Sequence, residues 1–190
     1  MQKLLLLFFS LITYPGFAQS TTSLSESAMA LTRQKVVYDP AYVAIAYPGG
    51  DVPADRGVCT DVVIRAYRLQ GIDLQKEVHE DMIAHFDLYP TIWGLKKPDT
   101  NIDHRRVANL MTFFNRKGMT KGKSQRAEDY LPGDIVAWDL GGGVLHIGLV
   151  VDQKSRQGSR PLIVHNIGRG QVLEDCLFAW EIIGHYRYPD

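Results

Sequence analysis

"GDIVAWDLGGGVLHIGLVVD", Gly133 to Asp152, sets two short apolar runs rich in β-branched residues on either side of a triple glycine. Runs this short, broken by a flexible turn, predict the two strands of a β-hairpin. Downstream, "PLIVHNI" (161–167) and "EIIGHYRY" (181–188) have the same character and predict a third and a fourth strand. Upstream the period changes. From Cys59 to Gln70, Val62, Val63, Ala66, Tyr67 and Leu69 recur at helical spacing, and Gly71 can end the run. Asp73 can cap a second helix, Leu74 to Phe86, which stops before Pro90. Asp103 can cap a third, with Val107, Leu110, Met111 and Phe114 on one face and Gly118 beyond it. Ala28 to Tyr47 predicts a further helical segment interrupted at Pro40, and "YPGGDVPADRG" (47–57) predicts a loop. Helices followed by strands give an α+β fold, helices packed on an antiparallel sheet.

The 190 residues suffice for one domain with its own core. A formal net charge of zero excludes the bulk attraction on which nucleic-acid and anionic-membrane binders rely, so no nucleic-acid partner is expected. "MQKLLLLFFSLITYPGFAQS" (1–20) has the parts of a signal peptide: Lys3, an apolar stretch from Leu4 to Ile12, and the small-residue pattern Gly16-Phe17-Ala18. The apolar stretch is too short for a bilayer, which takes about 20 residues. Cleavage after Ala18 and a periplasmic or secreted product, with no membrane span once mature, are expected. Residues 19–27, rich in Ser and Thr, are expected to be a flexible start, and 28–190 a single domain.

Export gives the two cysteines, Cys59 and Cys176, an oxidising surrounding in which one disulfide is an option. The other option is two free thiols, and this is the expectation. Cys176 lies in "EDCLFAW" (174–180), whose Leu, Phe and Trp suggest a core-facing segment. Cys59 opens a helix, where half a positive charge and free N–H groups stabilise a thiolate. A thiolate nucleophile needs a base and a group that orients the base. His146 and His165 are single polar residues in two apolar strands. If those strands pair, both imidazoles can point at the helix start, giving the order nucleophile, base, orienter.

These residues carry a resemblance. "YPGGDVPADRGVCTD" (47–61), then "PGDIVAWDLGGGVLHIGLVVD" (132–152) and "VHNI" (164–167), resemble the NlpC/P60 group of papain-like cell-wall hydrolases. The resemblance implies a papain-like (NlpC/P60-like) α+β fold with Cys59 as nucleophile, His146 as base and His165 as third member. Tyr47 resembles the tyrosine that lines the group's substrate groove. The implied reaction is amide hydrolysis in peptidoglycan peptide stems through a thioester, with no cofactor and no catalytic metal. From about Tyr38 to Tyr188 the chain is also similar to a bacterial family, DUF1287, whose blocks occur in order, among them "DLQKEVHEDM" (73–82), "NIDHRRVANL" (101–110) and "VHNIGRG" (164–170).

The chain departs from the NlpC/P60 pattern at Val58-Cys59-Thr60-Asp61, where that group has Asp-Cys-Ser-Gly. Asp61 is read either as a reader of a substrate amine or as a helix cap. Arg65, with Arg105 and Arg106, is read either as binding a carboxylate or phosphate on a substrate or as pairing with Asp81 or Asp103. Two rival functions stay open: a silent cell-wall binding module, and a metal-dependent hydrolase using His79, Asp81, Asp103, His104, His146 and His165. The spacings of those groups place no pair on one helix face.

Overall fold

Ser23 accepts a hydrogen bond from the Glu26 N–H, and the Glu26 carboxylate accepts one from the Ser23 N–H. This capping box starts helix α1, Leu24–Leu31, in the chain's computed structural model, which describes residues 23–189. The expected signal peptide lies outside the described residues. The helix begins at Leu24 rather than Ala28, so part of the stretch expected to be flexible is ordered by its own serine and glutamate. Beyond Leu31 the expected helical segment does not continue. Two residues, Val37–Tyr38, form strand β1, paired in parallel with β2, Arg56–Gly57. The prolines and glycines between them hold the rest as loop.

Helix α2, Cys59–Leu69, follows directly from β2. Asp61 caps it, accepting from the Val58 N–H at 2.6 Å. Asp73 caps α3, Leu74–Ala84, accepting from the Gln75 and Lys76 N–H groups. Helix α4 is Val107–Lys117. Asp103 does not cap it as expected. It sits in a 3₁₀ turn, Asp103–Arg105, one step earlier, and its carboxylate takes the Asp99 N–H and Arg106 instead.

The predicted strands form as β4 (Ile135–Asp139), β5 (Leu145–Lys154), β6 (Pro161–His165) and β8 (Glu181–Arg187). Two short edges complete the sheet, β3 (Met119–Thr120) and β7 (Val172–Glu174). The order is β3-β8-β4-β5-β6-β7, antiparallel throughout. The domain is thus α+β, with helices packed on one large antiparallel sheet.

Alternation along the strands divides the interior in two. Ala137, Ile147, Leu149 and Val164 join Val62, Val63, Leu110 and Phe114 in the core on the helix side, and Cys59 belongs to that core. Val136, Trp138, Val150 and Ile163 face the other way, under Tyr130, Cys176, Leu177 and Ile182. The Trp138 indole N–H donates to the Leu177 carbonyl at 2.9 Å and closes that second core. Among the described residues no helix is long and apolar enough to cross a membrane.

Candidate active site

Cys59 is the first residue of α2 and 6% exposed. Its sulfur faces the N–H groups of Ile147, Thr60 and Cys59 itself, which favour a thiolate, while the Asp61 carboxylate opposes one. Burial outweighs the donors and pushes the thiol up to about 11. Beside it is a pocket of about 200 Å³ whose walls include Tyr38, Pro40, Val58, Ile102, Arg105 and Leu145. Asn166, fully buried, donates to the Gly57 carbonyl at 3.0 Å and ties the end of β6 to the start of α2.

The strands carrying His146 and His165 do pair, and the two imidazoles meet, Nε2 of His146 to Nδ1 of His165 at 2.8 Å. They do so on the face opposite the expected one. His146 is the cross-strand neighbour of Trp138 and stacks on it, and both histidines pack against the Trp180 edge. On β5 His146 and Ile147 alternate, so Ile147 faces α2 and the imidazole faces the second core. The thiol therefore meets β5 at the peptide that joins His146 to Ile147. Among the described residues Cys59 Sγ makes no hydrogen bond to either imidazole.

Behind the pair stands a residue that the strand pattern did not reveal. Glu174, on the edge strand β7, lies 3.2 Å from His165 Nε2. A carboxylate only accepts, so Nε2 of His165 carries the hydrogen and its Nδ1 accepts from His146 Nε2–H. That leaves the lone pair of His146 on Nδ1. Burial, with His165 adding to it, pushes His146 down to about 3. Burial also lowers His165, opposed by the Glu174 charge and hydrogen bond. Thiol and imidazoles are all neutral at pH 7.

The expected substrate-binding residues fall elsewhere. Asp61 is buried, its two oxygens taken by the Val58 N–H and by Arg105 at 2.8 and 3.0 Å. It is the cap, and it holds a buried ion pair. Arg65 is buried and joined to Asp51 and to the carbonyls of Val52, Pro53 and Arg56, so it fastens the loop before α2. Tyr47 lies edge-on against His79, among residues of α3, and does not line the Cys59 pocket. The tyrosine that does is Tyr38, 41% exposed on β1, whose hydroxyl pKa is raised by burial and by the Asp61 charge, a Cys59 thiolate adding to it once formed. Only the pairing of β1 beside Gly57 brings it there, and two residues are too few to show as a strand in sequence.

Of the rival His/Asp metal set, His146 and His165 meet, and the other four do not join them. His79 is packed on Tyr47, Asp81 binds Tyr89 and Arg116, Asp103 binds Arg106, and His104 is buried and pushed down to about 4 by burial. Among the described residues the grouping of metal-ligand types that forms is His165, Glu174 and Cys176.

Comparison with known proteins places the chain. The "Uncharacterized protein YijF" of Escherichia coli (strain K12) is 53% identical over 171 residues, 90% of this chain and 83% of that protein. A solved structure titled as similar to a lipoprotein of the NLP/P60 family, from Staphylococcus aureus, aligns with a TM-score of 0.41 at 11% identity. That alignment covers 89% of this chain but 44% of the solved one, so the chain spans less than half its length. The family described as "Domain of unknown function (DUF1287)" matches residues 25–188, which is nearly all that the structure describes, and the chain belongs to it.

Proposed function

We propose that the chain is an exported cysteine hydrolase that cleaves an amide bond, in the peptide stems of peptidoglycan, with Cys59 as nucleophile. One observation carries this reading. The thiol sits at a helix start against the Ile147 N–H, the next residue along from a histidine held by His165 and Glu174. The substrate class rests on the sequence resemblance to NlpC/P60 hydrolases and on the signal-like leader.

In the proposed reaction the start of β5, paired with β4 alone, opens so that His146 swings from the far face of the sheet to the sulfur. Its Nδ1 takes the thiol proton as sulfur attacks the carbonyl carbon. The N–H groups at the start of α2 then serve the oxyanion. The C–N bond breaks, the leaving amine receives the proton from His146, and water hydrolyses the thioester.

Incubation with purified peptidoglycan and mass spectrometry of the released fragments tests this. New amine and carboxyl ends are expected from the native chain and none from Cys59→Ala of unchanged melting temperature. Equal fragment release from the two proteins would end the cysteine account. The missing thiol–imidazole hydrogen bond favours a second reading, a silent binding module. It predicts no turnover and wall binding that Cys59→Ala leaves unchanged.

A further inference from the structure

We propose that His165, Glu174 and Cys176 form a binding site for a thiophilic divalent metal such as Zn²⁺, and that its occupancy switches His146 off as a base. The binding stands on geometry alone; the consequence rests on the hydrolase reading.

Nε2 of His165 lies 3.2 Å from Glu174 Oε2 and 3.6 Å from Cys176 Sγ, and the three ligand atoms lie within 4.8 Å of one another. Zinc holds N and O at about 2.1 Å and S at about 2.3 Å. The edges of such a tetrahedron are roughly 3.4 Å for N···O and 3.6 Å for N···S and O···S. The two edges from His165 thus stand near zinc spacing and the Glu174–Cys176 edge lies within 4.8 Å, with His165 and Glu174 fixed by the β6–β7 ladder and Cys176 two residues beyond it. His165 and Cys176 are buried, whereas the Glu174 side chain keeps 26% exposure and opens the site to solvent. Its other oxygen takes the exposed Arg169 at 2.9 Å, which leaves Oε2 for the metal. His146, bound to the far nitrogen of His165, is the outer partner that a ligating imidazole needs.

Cys176 takes no part in the proposed hydrolysis. The Glu174 and Asp175 carboxylates place negative charge beside its sulfur, which suits a cation there. Metal binding would release the thiol proton to solvent and form the metal–sulfur bond. It would also need a lone pair on His165 Nε2, which in the free protein carries the hydrogen donated to Glu174. His165 must then carry its hydrogen on Nδ1 and donate to His146 Nε2, which puts the other hydrogen of the pair on His146 Nδ1. Two hydrogens remain on the two rings, but the nitrogen that serves the thiol has lost its lone pair.

Titration of the purified protein with Co²⁺, in a phosphine reductant, tests the site. One equivalent and a sulfur-to-cobalt charge-transfer band are expected, displaced by Zn²⁺. The band should vanish in Cys176→Ser and persist in Cys59→Ala, and Glu174→Gln, a milder change, should weaken binding at least tenfold. No saturable binding, or a band that follows Cys59 and not Cys176, would overturn the site. Zinc should slow peptidoglycan cleavage by the native chain at least tenfold, and that ratio should fall to near one in Cys176→Ser. Zinc bound through Cys176 with cleavage unaltered would overturn the switch. If no wall preparation is cleaved, the hydrolase reading fails while the cobalt band still decides the site.

Discussion

Cys59 has three backbone donors around its sulfur and still holds its proton, because 6% exposure leaves the thiolate almost no water. Its alkylation by iodoacetamide should therefore rise about tenfold per pH unit from pH 7 to beyond pH 9, with no plateau near the ordinary thiol value of about 8.5. A plateau by pH 8, read from mass-resolved labelling of the Cys59 peptide, would contradict the burial argument. The histidines divide by role. His146→Ala should cost more than the roughly 10²–10⁴-fold assigned to acid–base help, since attack by the thiolate suffers too. His165→Asn and His165→Gln keep a hydrogen-bonding side chain, so both should retain more activity than His165→Ala. By the same logic Glu174→Gln should retain more than Glu174→Ala. Cleavage rates of the folded variants decide the order; His165→Asn as inactive as His146→Ala would reverse base and orienter.

Helix starts and strand pairings position these groups, and two substitutions probe them. Asp61 joins the first turn of α2 to the buried Arg105. Asp61→Ala leaves that guanidinium without its carboxylate and should cost about 3–5 kcal/mol, measured by urea unfolding. Gly148 lies across from the β6 histidine: a Cβ there would stand 2.8 Å from Ile163 Cγ2 and 3.1 Å from His165 Cβ. Gly148→Ala should push β6 off β5, destabilise by about 1–3 kcal/mol, and reduce cleavage further than its stability loss explains. The hairpin was legible in sequence because glycine and β-branched residues act locally; Cys59 stood out as the residue that opens a helix, and the two histidines as lone polar groups in apolar strands. The face on which the histidines project was not legible. Position within a strand fixes alternation, but which side receives the helices depends on how α2 and α4 close over the sheet. Tyr38 and Glu174 were hidden for a similar reason, since both sit on strands of two or three residues that exist only through their partners. The start of α1 was missed because its serines read as linker, although Ser23 and Glu26 form a capping box.

At the scale of the molecule, three of the buried histidines resist protonation. Burial takes His104 to about 4 and His146 to about 3 from 6.5, and lowers His165 as well. The unfolded chain takes up these protons near pH 6.5 and the folded chain does not. Stability is therefore full above pH 6.5 and declines as pH falls below it, by up to roughly 1.4 kcal/mol per pH unit for each histidine, until each folded value is reached. Urea midpoints should drop between pH 7.5 and pH 5, before most carboxylates titrate, and His104→Gln should flatten that slope. An unchanged midpoint at pH 5 would mean that these imidazoles reach water.

The sheet that divides the interior also stands between the two sulfurs, Cys59 on the helix side and Cys176 on the other. No rotation of either side chain brings them together, so a Cys59–Cys176 bridge has to be made while the chain is still unfolded. In an oxidising compartment the order of events then decides the product: pairing of β4, β5 and β6 before oxidation locks the thiols apart, and the reverse order yields a cross-linked chain that cannot close its sheet. A bridged fraction, found by non-reducing peptide mapping, would be a record of molecules that lost this race.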